Sequence, residues 1–285
     1  MAGASVAALV GERKSGRLLT RVVTGVALAA VAIAAVWVGD VAFTALVATA
    51  CLLMSAEWSV MHGVARGFRL ASLVALALVA GVAVYVGAAD ALIVLAVSAG
   101  AIGLFMRGFD RSRAFWIAAG LLYCGLPMVA LLWLRNIHDG LLIVAFLFLV
   151  VWATDIGAFF VGRAVGGAKF APAISPNKTW AGVFGGIGAA IAGSQLYSFT
   201  IVGLASSKIP FNAANSWSLE AAGTAILISA TAIGGDLFES WLKRRAGVKD
   251  SGNLLPGHGG VMDRIDGVVP AVVVLALLVV GGISQ

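Results

Sequence analysis

The sequence is short of charged residues and of cysteine. Asp, Glu, Lys and Arg make up 11% of its 285 residues, against about 25% in an average soluble domain, which argues against a soluble globular protein. The two cysteines, Cys51 and Cys124, both lie inside apolar runs, so we expect neither a disulfide nor a metal–thiolate site. There is no low-complexity tail and no strong internal repeat.

Long apolar runs fill the chain instead. Hydrophobic residues make up 61% of it, and several runs approach or exceed the roughly 18 to 20 residues that a helix needs to cross a bilayer. We therefore predict an all-α fold, a polytopic integral membrane protein with about nine transmembrane helices. The predicted spans are 22–39, 41–61, 70–87, 89–106, 114–134, 140–161, 180–204, 219–240 and 267–283.

The positive charges predict how these helices are oriented. With the N-terminus in the cytoplasm, every lysine and arginine except Arg135 and Lys208 falls on the cytoplasmic side, in agreement with the positive-inside rule. The net charge of +6 is then typical of loops facing anionic lipid, and we expect no nucleic-acid partner. The basic segment 1–21 could instead begin a signal peptide, but we prefer an uncleaved first span.

The spans and loops divide the chain into three parts. Residues 1–21 form a predicted cytoplasmic segment, residues 22–139 hold about five transmembrane helices, and residues 140–285 form a C-terminal catalytic transmembrane domain. Two long cytoplasmic loops, 162–179 and 241–266, belong to the last part. Polar residues concentrate in these loops, so any chemistry is expected to face the cytoplasm.

Residues 236–267 gather acids, bases, a histidine and glycines between apolar spans. Asp236 and Glu239 lie near the end of the eighth span, where an ionised carboxylate needs a cation, a metal or water. They share one helical face with Ser240 and Lys243. A simple interfacial pair, Asp236–Lys243 or Glu239–Lys243, would also explain them.

Four carboxylates are expected at one depth, near the cytoplasmic face. Asp155 lies late in the sixth span, Asp236 has a similar depth in the eighth, and Asp263 and Asp266 precede the ninth. Carboxylates without thiolates suit a hard cation, and Mg²⁺ held by one or two of them and by substrate phosphates is the best match. Glu57, near the end of the second span, is interpreted as an interfacial or interhelical contact.

Two further segments carry groups that suit phosphate. The segment before the seventh span is rich in donors and lies at a helix N-terminus, where free backbone N–H groups favour anions. The turn 256–260 is predicted to be tight, so that its glycines allow the backbone to approach a ligand closely. Its His258 could carry a proton, bind phosphate or cap the turn. The glycines of the seventh span itself predict close helix packing; they are Gly182, Gly185, Gly186, Gly188 and Gly193.

The stretch SWLKRRAGVKDSGNLLPGHGGVMDRID, residues 240–266, resembles throughout the signature of phosphatidate cytidylyltransferases, the CDP-diacylglycerol synthases of membranes. The stretch ISPNKTWAG, residues 174–182, resembles a second recurrent segment of that family, with Ala181 where most relatives carry an acid. The resemblance is strong over residues 150–270. The N-terminal third is similar in hydropathy only.

The resemblance implies Mg²⁺-dependent transfer of the cytidylyl group from CTP to phosphatidate, which yields CDP-diacylglycerol and pyrophosphate for phospholipid synthesis. It also implies a multi-pass enzyme of the cell membrane with its site open to the cytoplasm, often a homodimer, and K⁺ as a second cation. By position, the metal ligands would be Asp236 and Asp263. The expected catalytic residues are Asp236, Asp263, Lys243, Arg264 and His258. The expected substrate-binding residues are Ser175, Asn177, Lys178, Thr179, Asp155, Ser240, Arg244, Lys249, Asp250, Gly259, Gly260 and Asp266.

Other functions fit part of the pattern. One is a related CTP-using membrane enzyme, either an isoprenoid alcohol kinase or a cytidylyltransferase for ether-lipid phosphates. Another is a cation-coupled transporter, because intramembrane carboxylates also mark ion pathways. The concentration of polar groups at one membrane face argues against the transporter.

Overall fold

A computed structural model describes residues 23–204, 219–255 and 259–283 of the chain. The predicted cytoplasmic segment 1–21, Lys208 and His258 lie outside these residues. The N-terminal helices are α1 (Val23–Val38), α2 (Asp40–Met61), α3 (Arg66–Tyr85), α4 (Ala88–Arg107) and α5 (Arg111–Asn136). The elements that follow are α6 (Gly140–Val165), β1 (Lys169–Ala171), β2 (Ser175–Thr179), α7 (Trp180–Leu204), α8 (Leu219–Arg245), the short α9 (Met262–Ile265) and α10 (Val268–Ile283).

The helices are those of a multi-pass membrane protein. Within the described ranges, six of them, α2 to α6 and α8, are long and apolar enough to cross a membrane. Helices α1 and α10 are apolar but shorter, and α7 has 25 residues. The all-α architecture is therefore confirmed, whereas the count of nine spans and the orientation of the N-terminus stay predictions. The predicted boundaries differ most at the start of α3, which begins at Arg66, and at the ends of α6 and α8, which continue to Val165 and Arg245.

Apolar side chains cover both the interior and much of the outside of the bundle. The interior contains buried residues of all ten described helices, most of them from α2 to α6, α8 and α10, and includes both Cys51 and Cys124. On the outside, Leu78, Val97 and Phe160 are exposed. Apolar surface of this extent would be a liability in water, but it suits helices that are surrounded by lipid.

Glycines allow α6 and α7 to approach closely, as the sequence predicts. A Cβ built on Gly186 would lie 2.8 Å from the Thr154 carbonyl oxygen, and one on Gly182 would lie 3.0 Å from that of Ala158. On the facing helix, a Cβ on Gly157 would lie 2.6 Å from the carbonyl oxygen of Gly185. Backbone-to-backbone packing of this kind is the usual role of small residues between membrane helices.

A β-hairpin connects these two helices. β1 and β2 are antiparallel, with Lys169 opposite Thr179 and Ala171 opposite Ser175. The hydroxyl oxygen of Thr179 accepts the backbone N–H of Gly182 at 3.1 Å and thereby caps the first turn of α7. Most of the predicted loop 162–179 is thus ordered as the end of α6 and a hairpin, and the hairpin leads Lys178 to the end of α8.

The glycine contacts predict a selective loss of stability. A Gly157→Ala substitution puts a methyl group 2.5 Å from the Ala189 Cβ, so α6 and α7 have to separate. We expect a cost of about 1–3 kcal/mol from overpacking, partly offset by the higher helix propensity of alanine. Thermal unfolding of the detergent-solubilised protein measures it. Gly188→Ala, with no atom within 4 Å of the new Cβ, is the matched control, and equal melting temperatures for the two variants would contradict the prediction.

Candidate active site

An ion pair joins the hairpin to α8. The Nζ atom of Lys178 lies 2.6 Å from Oδ2 of Asp236, and the hydroxyl of Ser240 donates to Oδ1 of Asp236 at 3.3 Å. The Lys178 and Asp236 side chains keep 24% and 38% of their surface exposed. Because a partly exposed pair contributes little to stability, a ligand phosphate or a cation can replace either partner at small cost.

Lys243, two turns further along α8, lies between two buried carboxylates. Its Nζ atom donates to Oδ1 of Asp263 at 2.6 Å and lies 3.3 Å from Oε2 of Glu239. Glu239 is fully buried and the Asp263 side chain is 5% exposed. Removing Lys243 would leave both carboxylates without their cation, and an uncompensated buried charge is strongly destabilising. The expected Glu239–Lys243 pair is therefore present, whereas Asp236 pairs with Lys178 instead.

Both oxygens of Asp263 are held by the protein itself. The backbone N–H groups of Ser251 and Gly260 donate to Oδ2 at 3.0 and 2.8 Å, and Lys243 holds Oδ1. Burial alone would raise the pKa of the Asp263 carboxyl, but these hydrogen bonds with Lys243, Gly260 and Ser251 keep that pKa below its usual value. Asp263 therefore carries a stable negative charge.

Asp266 extends the cluster towards α6. The N–H of Gly267 donates to Oδ1 of Asp266 at 2.8 Å. Burial and the neighbouring Asp236 carboxylate raise the pKa of Asp266, and hydrogen bonds with Glu239 and Gly267 only partly oppose this. Asp155 interacts electrostatically with Asp266, Asp236 and Lys178. The structure thus brings together carboxylates from α6, from α8 and from the segment before α10.

Glu57 of α2 reaches the same region from the N-terminal helices. Its Oε1 accepts the backbone N–H of Val261 at 2.9 Å, while its Oε2 accepts the N–H of Met262 at 2.9 Å and the hydroxyl of Ser251 at 3.0 Å. The sequence identifies Glu57 as a contact but not its partners, because Ser251 is 194 positions away. An isolated acid near the end of an apolar span is the only sequence signal for it.

The loop glycines are packed against these carboxylates. A Cβ on Gly252 would lie 2.7 Å from Oε1 of Glu57, and one on Gly259 would lie 2.7 Å from Oδ2 of Asp263. A Cβ on Gly260 would collide with the Ser251 hydroxyl and lie 2.6 Å from Oε2 of Glu57. In the described residues, the backbone at these glycines approaches the protein's own carboxylates, whereas close approach of the turn 256–260 to a ligand stays a prediction.

The other predicted site residues lie around this cluster. Ser175 and Asn177 are on β2, and Thr179, 6% exposed, caps α7. The β2 segment is therefore a strand, and its threonine already satisfies a donor at the helix N-terminus that was expected to be available for phosphate. Four further residues are exposed, namely Arg244, Lys249, Asp250 and Arg264.

The donor set fits a hard cation with few protein ligands. Within the described ranges, no three side chains of His, Cys, Asp or Glu are grouped as a complete metal site. Mg²⁺ commonly uses only one or two carboxylates and takes its remaining ligands from water and phosphate. Asp236 is partly exposed and lies near Asp155 and Asp266, so it matches this requirement. Asp263 meets the same requirement once one of its carboxylate oxygens is released by Lys243 or by the backbone N–H of Ser251 or Gly260.

Comparison with known proteins identifies close relatives of this chain. A model of the cytidylyltransferase family matches residues 19–280. A phosphatidate cytidylyltransferase of Brucella suis biovar 1 (strain 1330) is 39% identical over 266 residues, which cover 91% of this chain and 92% of the relative. One of Pseudomonas aeruginosa is 34% identical over 273 residues, covering 92% and 96% of the two chains. The similarity therefore includes the N-terminal helices as well as the carboxylate cluster.

Proposed function

This chain belongs to the cytidylyltransferase family, and we propose that it transfers the cytidylyl group from CTP to phosphatidate. The products are CDP-diacylglycerol, for phospholipid synthesis, and pyrophosphate. The observation that carries the proposal is the cluster of paired lysines and carboxylates, Lys178–Asp236 and Lys243–Asp263, at one end of the apolar helices. Relatives that bear this activity in their names align over almost the whole chain.

The reaction requires positioning and charge neutralisation more than acid–base catalysis. A phosphate oxygen of phosphatidate attacks the α-phosphorus of CTP, the bond from that phosphorus to the bridging oxygen breaks, and pyrophosphate leaves with the bond's electron pair. The attacking oxygen is already ionised, so little help from a base is needed. Fixed positive charge near the phosphates stabilises the transition state.

The two paired lysines are suited to this task. Lys178 can exchange its partly exposed partner Asp236 for a phosphate, and Lys243 keeps a cationic charge beside Asp263 and Glu239. Arg244, Lys249, Arg264 and His258 are proposed to neutralise the triphosphate and the lipid headgroup. Ser175, Asn177, Ser240 and Gly259 are proposed to donate hydrogen bonds to the substrates, and Gly260 is proposed to do so once its N–H leaves Asp263. Asp155, Asp250 and Asp266 are proposed to hold the basic side chains or water on the metal.

Asp236 and Asp263 would hold Mg²⁺ as a cofactor. When bound, this ion would neutralise the phosphates of CTP and stabilise the departing pyrophosphate. A second cation, K⁺, is implied by the resemblance and stays a prediction, as does a homodimer.

A site at the end of the membrane helices suits a lipid substrate. The phosphate of phosphatidate would enter the cluster laterally while its acyl chains remain in the bilayer. We propose the cell membrane as the location, with the site facing the cytoplasm.

The activity is tested with purified protein, phosphatidate, Mg²⁺ and labelled CTP. Label from the α-phosphate should appear in the lipid product, together with stoichiometric pyrophosphate. Label from the γ-phosphate in the lipid would indicate a kinase, and transfer to another lipid phosphate but not to phosphatidate would indicate a different cytidylyltransferase. Cation flux that needs no CTP would indicate a transporter.

We expect Asp236→Asn and Asp263→Asn each to lower kcat by at least about 100-fold, because each removes a carboxylate that would hold Mg²⁺ and so weakens charge stabilisation of the transition state, an effect as large as the loss of one oxyanion-hole donor. Asparagine keeps the size of the side chain but removes its charge. Both variants should still insert and elute as a monodisperse peak in detergent. Asp90→Asn, at an exposed carboxylate of α4, is the control and should leave kcat unchanged. Near-normal turnover of both site variants would rule out the metal assignment.

Lys178→Ala should raise the apparent KM for CTP or for phosphatidate about tenfold, since a charge-assisted hydrogen bond to phosphate is lost. Steady-state kinetics with each substrate varied in turn measures this. Lys169→Ala removes an exposed lysine from the other strand of the same hairpin and should change neither KM. If both apparent affinities survive the loss of Lys178, this lysine contributes only to membrane topology.

A further inference from the structure

Glu57 is buried where α2 meets the signature segment, which we define as the described residues 246–255 and 259–265. Glu57 is only 4% exposed. Its two carboxylate oxygens accept hydrogen bonds from two backbone N–H groups and one hydroxyl of that segment. Among the described residues, no lysine or arginine forms an ion pair with it. A buried carboxylate is tolerated only where donors face it, so this contact requires the segment to keep its shape.

The donors of the signature segment are divided between Glu57 and Asp263. Ser251 donates its hydroxyl to Glu57 and its backbone N–H to Asp263. The successive amides of Gly260, Val261 and Met262 donate to Asp263, Glu57 and Glu57 in turn. Because the two carboxylates share one short piece of backbone, a displacement at Glu57 also displaces Asp263, and with it the partner of Lys243.

The glycines of the segment supply independent evidence that this contact is close. Cβ atoms on Gly252 and Gly260 would lie 2.7 and 2.6 Å from the oxygens of Glu57. Backbone without a side chain is therefore needed at both positions for the carboxylate to fit.

Trp58, the residue next to Glu57, fixes the position of Glu57 in the bundle. The indole N–H of Trp58 donates to the carbonyl oxygen of Trp116 in α5 at 2.7 Å. The Trp58 ring stacks on Tyr123 with centroids 5.1 Å apart, and Tyr123 in turn contacts Phe238 of α8 at 5.7 Å. Glu57 is thus fixed relative to α8, the helix that carries Asp236 and Lys243.

We propose that Glu57 is a positioning residue through which the N-terminal helices hold the signature segment so that Asp263 faces Lys243. Its effect on catalysis rests on the proposed function, whereas its effect on the shape of the segment does not. Glutamine at position 57 would keep the size of the side chain but turn an NH₂ group towards backbone N–H or hydroxyl donors.

The first experiment measures kcat per folded molecule for Glu57→Gln, Ser251→Ala and the double variant. We expect Glu57→Gln to lower kcat roughly 10- to 100-fold, the effect of misplacing a catalytic group by about 1 Å, while the monodisperse peak and the helical dichroism stay unchanged. The double variant should lose no more than Glu57→Gln alone, since both changes break the same contact. Asp90→Asn should stay within about twofold of the unaltered protein.

The second experiment needs no activity. Hydrogen exchange of peptides spanning 250–263 should become about tenfold faster at Val261 and Met262 in Glu57→Gln, because their protecting acceptor is weakened. If the unaltered protein makes no CDP-diacylglycerol but this exchange pattern appears, the proposed function fails and the positioning role survives. If the protein is active and Glu57→Gln changes neither exchange nor kcat, the positioning role fails alone.

Gly252→Ala replaces Glu57→Gln should the latter not fold. It keeps the carboxylate and pushes the segment away from it, so kcat should fall in the same range. Gly223→Ala in α8, with no atom within 4 Å of the new Cβ, is the control. An unaltered kcat in folded Gly252→Ala would overturn the proposal. So would a loss of activity that is fully explained by a smaller fraction of folded protein, since kcat per folded molecule would then be unchanged.

Discussion

Each carboxylate buried among apolar helices must face donors or a cation, and this requirement determines the arrangement at the site end of the bundle. Glu239 and Asp263 share the amine of Lys243, and Asp263 and Glu57 share the donors of one short loop. Leaving an oxygen of Asp263 or Glu57 without its donor would lower the stability of the fold, because the apolar surroundings offer no replacement. The described loop residues 246–255 and 259–261 are therefore held in place although they have little regular secondary structure.

The same pairs prepare the site for polyanionic substrates. A lysine that is already held by carboxylates has lost most of its conformational freedom before a ligand arrives, so less entropy is lost when it binds phosphate. The partly exposed Lys178–Asp236 pair can open towards a ligand more easily than the buried Lys243–Asp263 pair. Preorganised charge of this kind is the main source of catalysis in phosphoryl and nucleotidyl transfer.

Local features of this chain were predictable from its sequence, and long-range pairings were not. Hydropathy located the helices because a membrane span is recognised from one continuous run, and the glycines of α7 predicted its close contact with α6. The shared helical face of Asp236, Glu239 and Lys243 predicted that Lys243 pairs with Asp236 or Glu239, and the pair with Glu239 is present. The partner of Asp236 is on a short, polar strand that contains Pro176, and nothing in its pattern distinguishes such a strand from a loop. Thr179 resembled a ligand because a capping hydroxyl and a phosphate-binding hydroxyl both precede a helix.

The N-terminal helices make one of these long-range contacts to the site. The sequence alone suggested that they resemble the family in hydropathy only. This expectation was wrong, because the family model begins at residue 19 and the relatives align with 91% of the chain, so the two parts occur together in one protein. A loop of glycines and polar residues cannot hold two carboxylates in register by itself, since its backbone is too free. Helix α2 supplies a fixed support for this loop. Trp58 is hydrogen-bonded to α5, and the adjacent Glu57 accepts the backbone N–H groups that do not bind Asp263. The N-terminal helices are then part of the scaffold on which the geometry of the site depends, in addition to crossing the membrane.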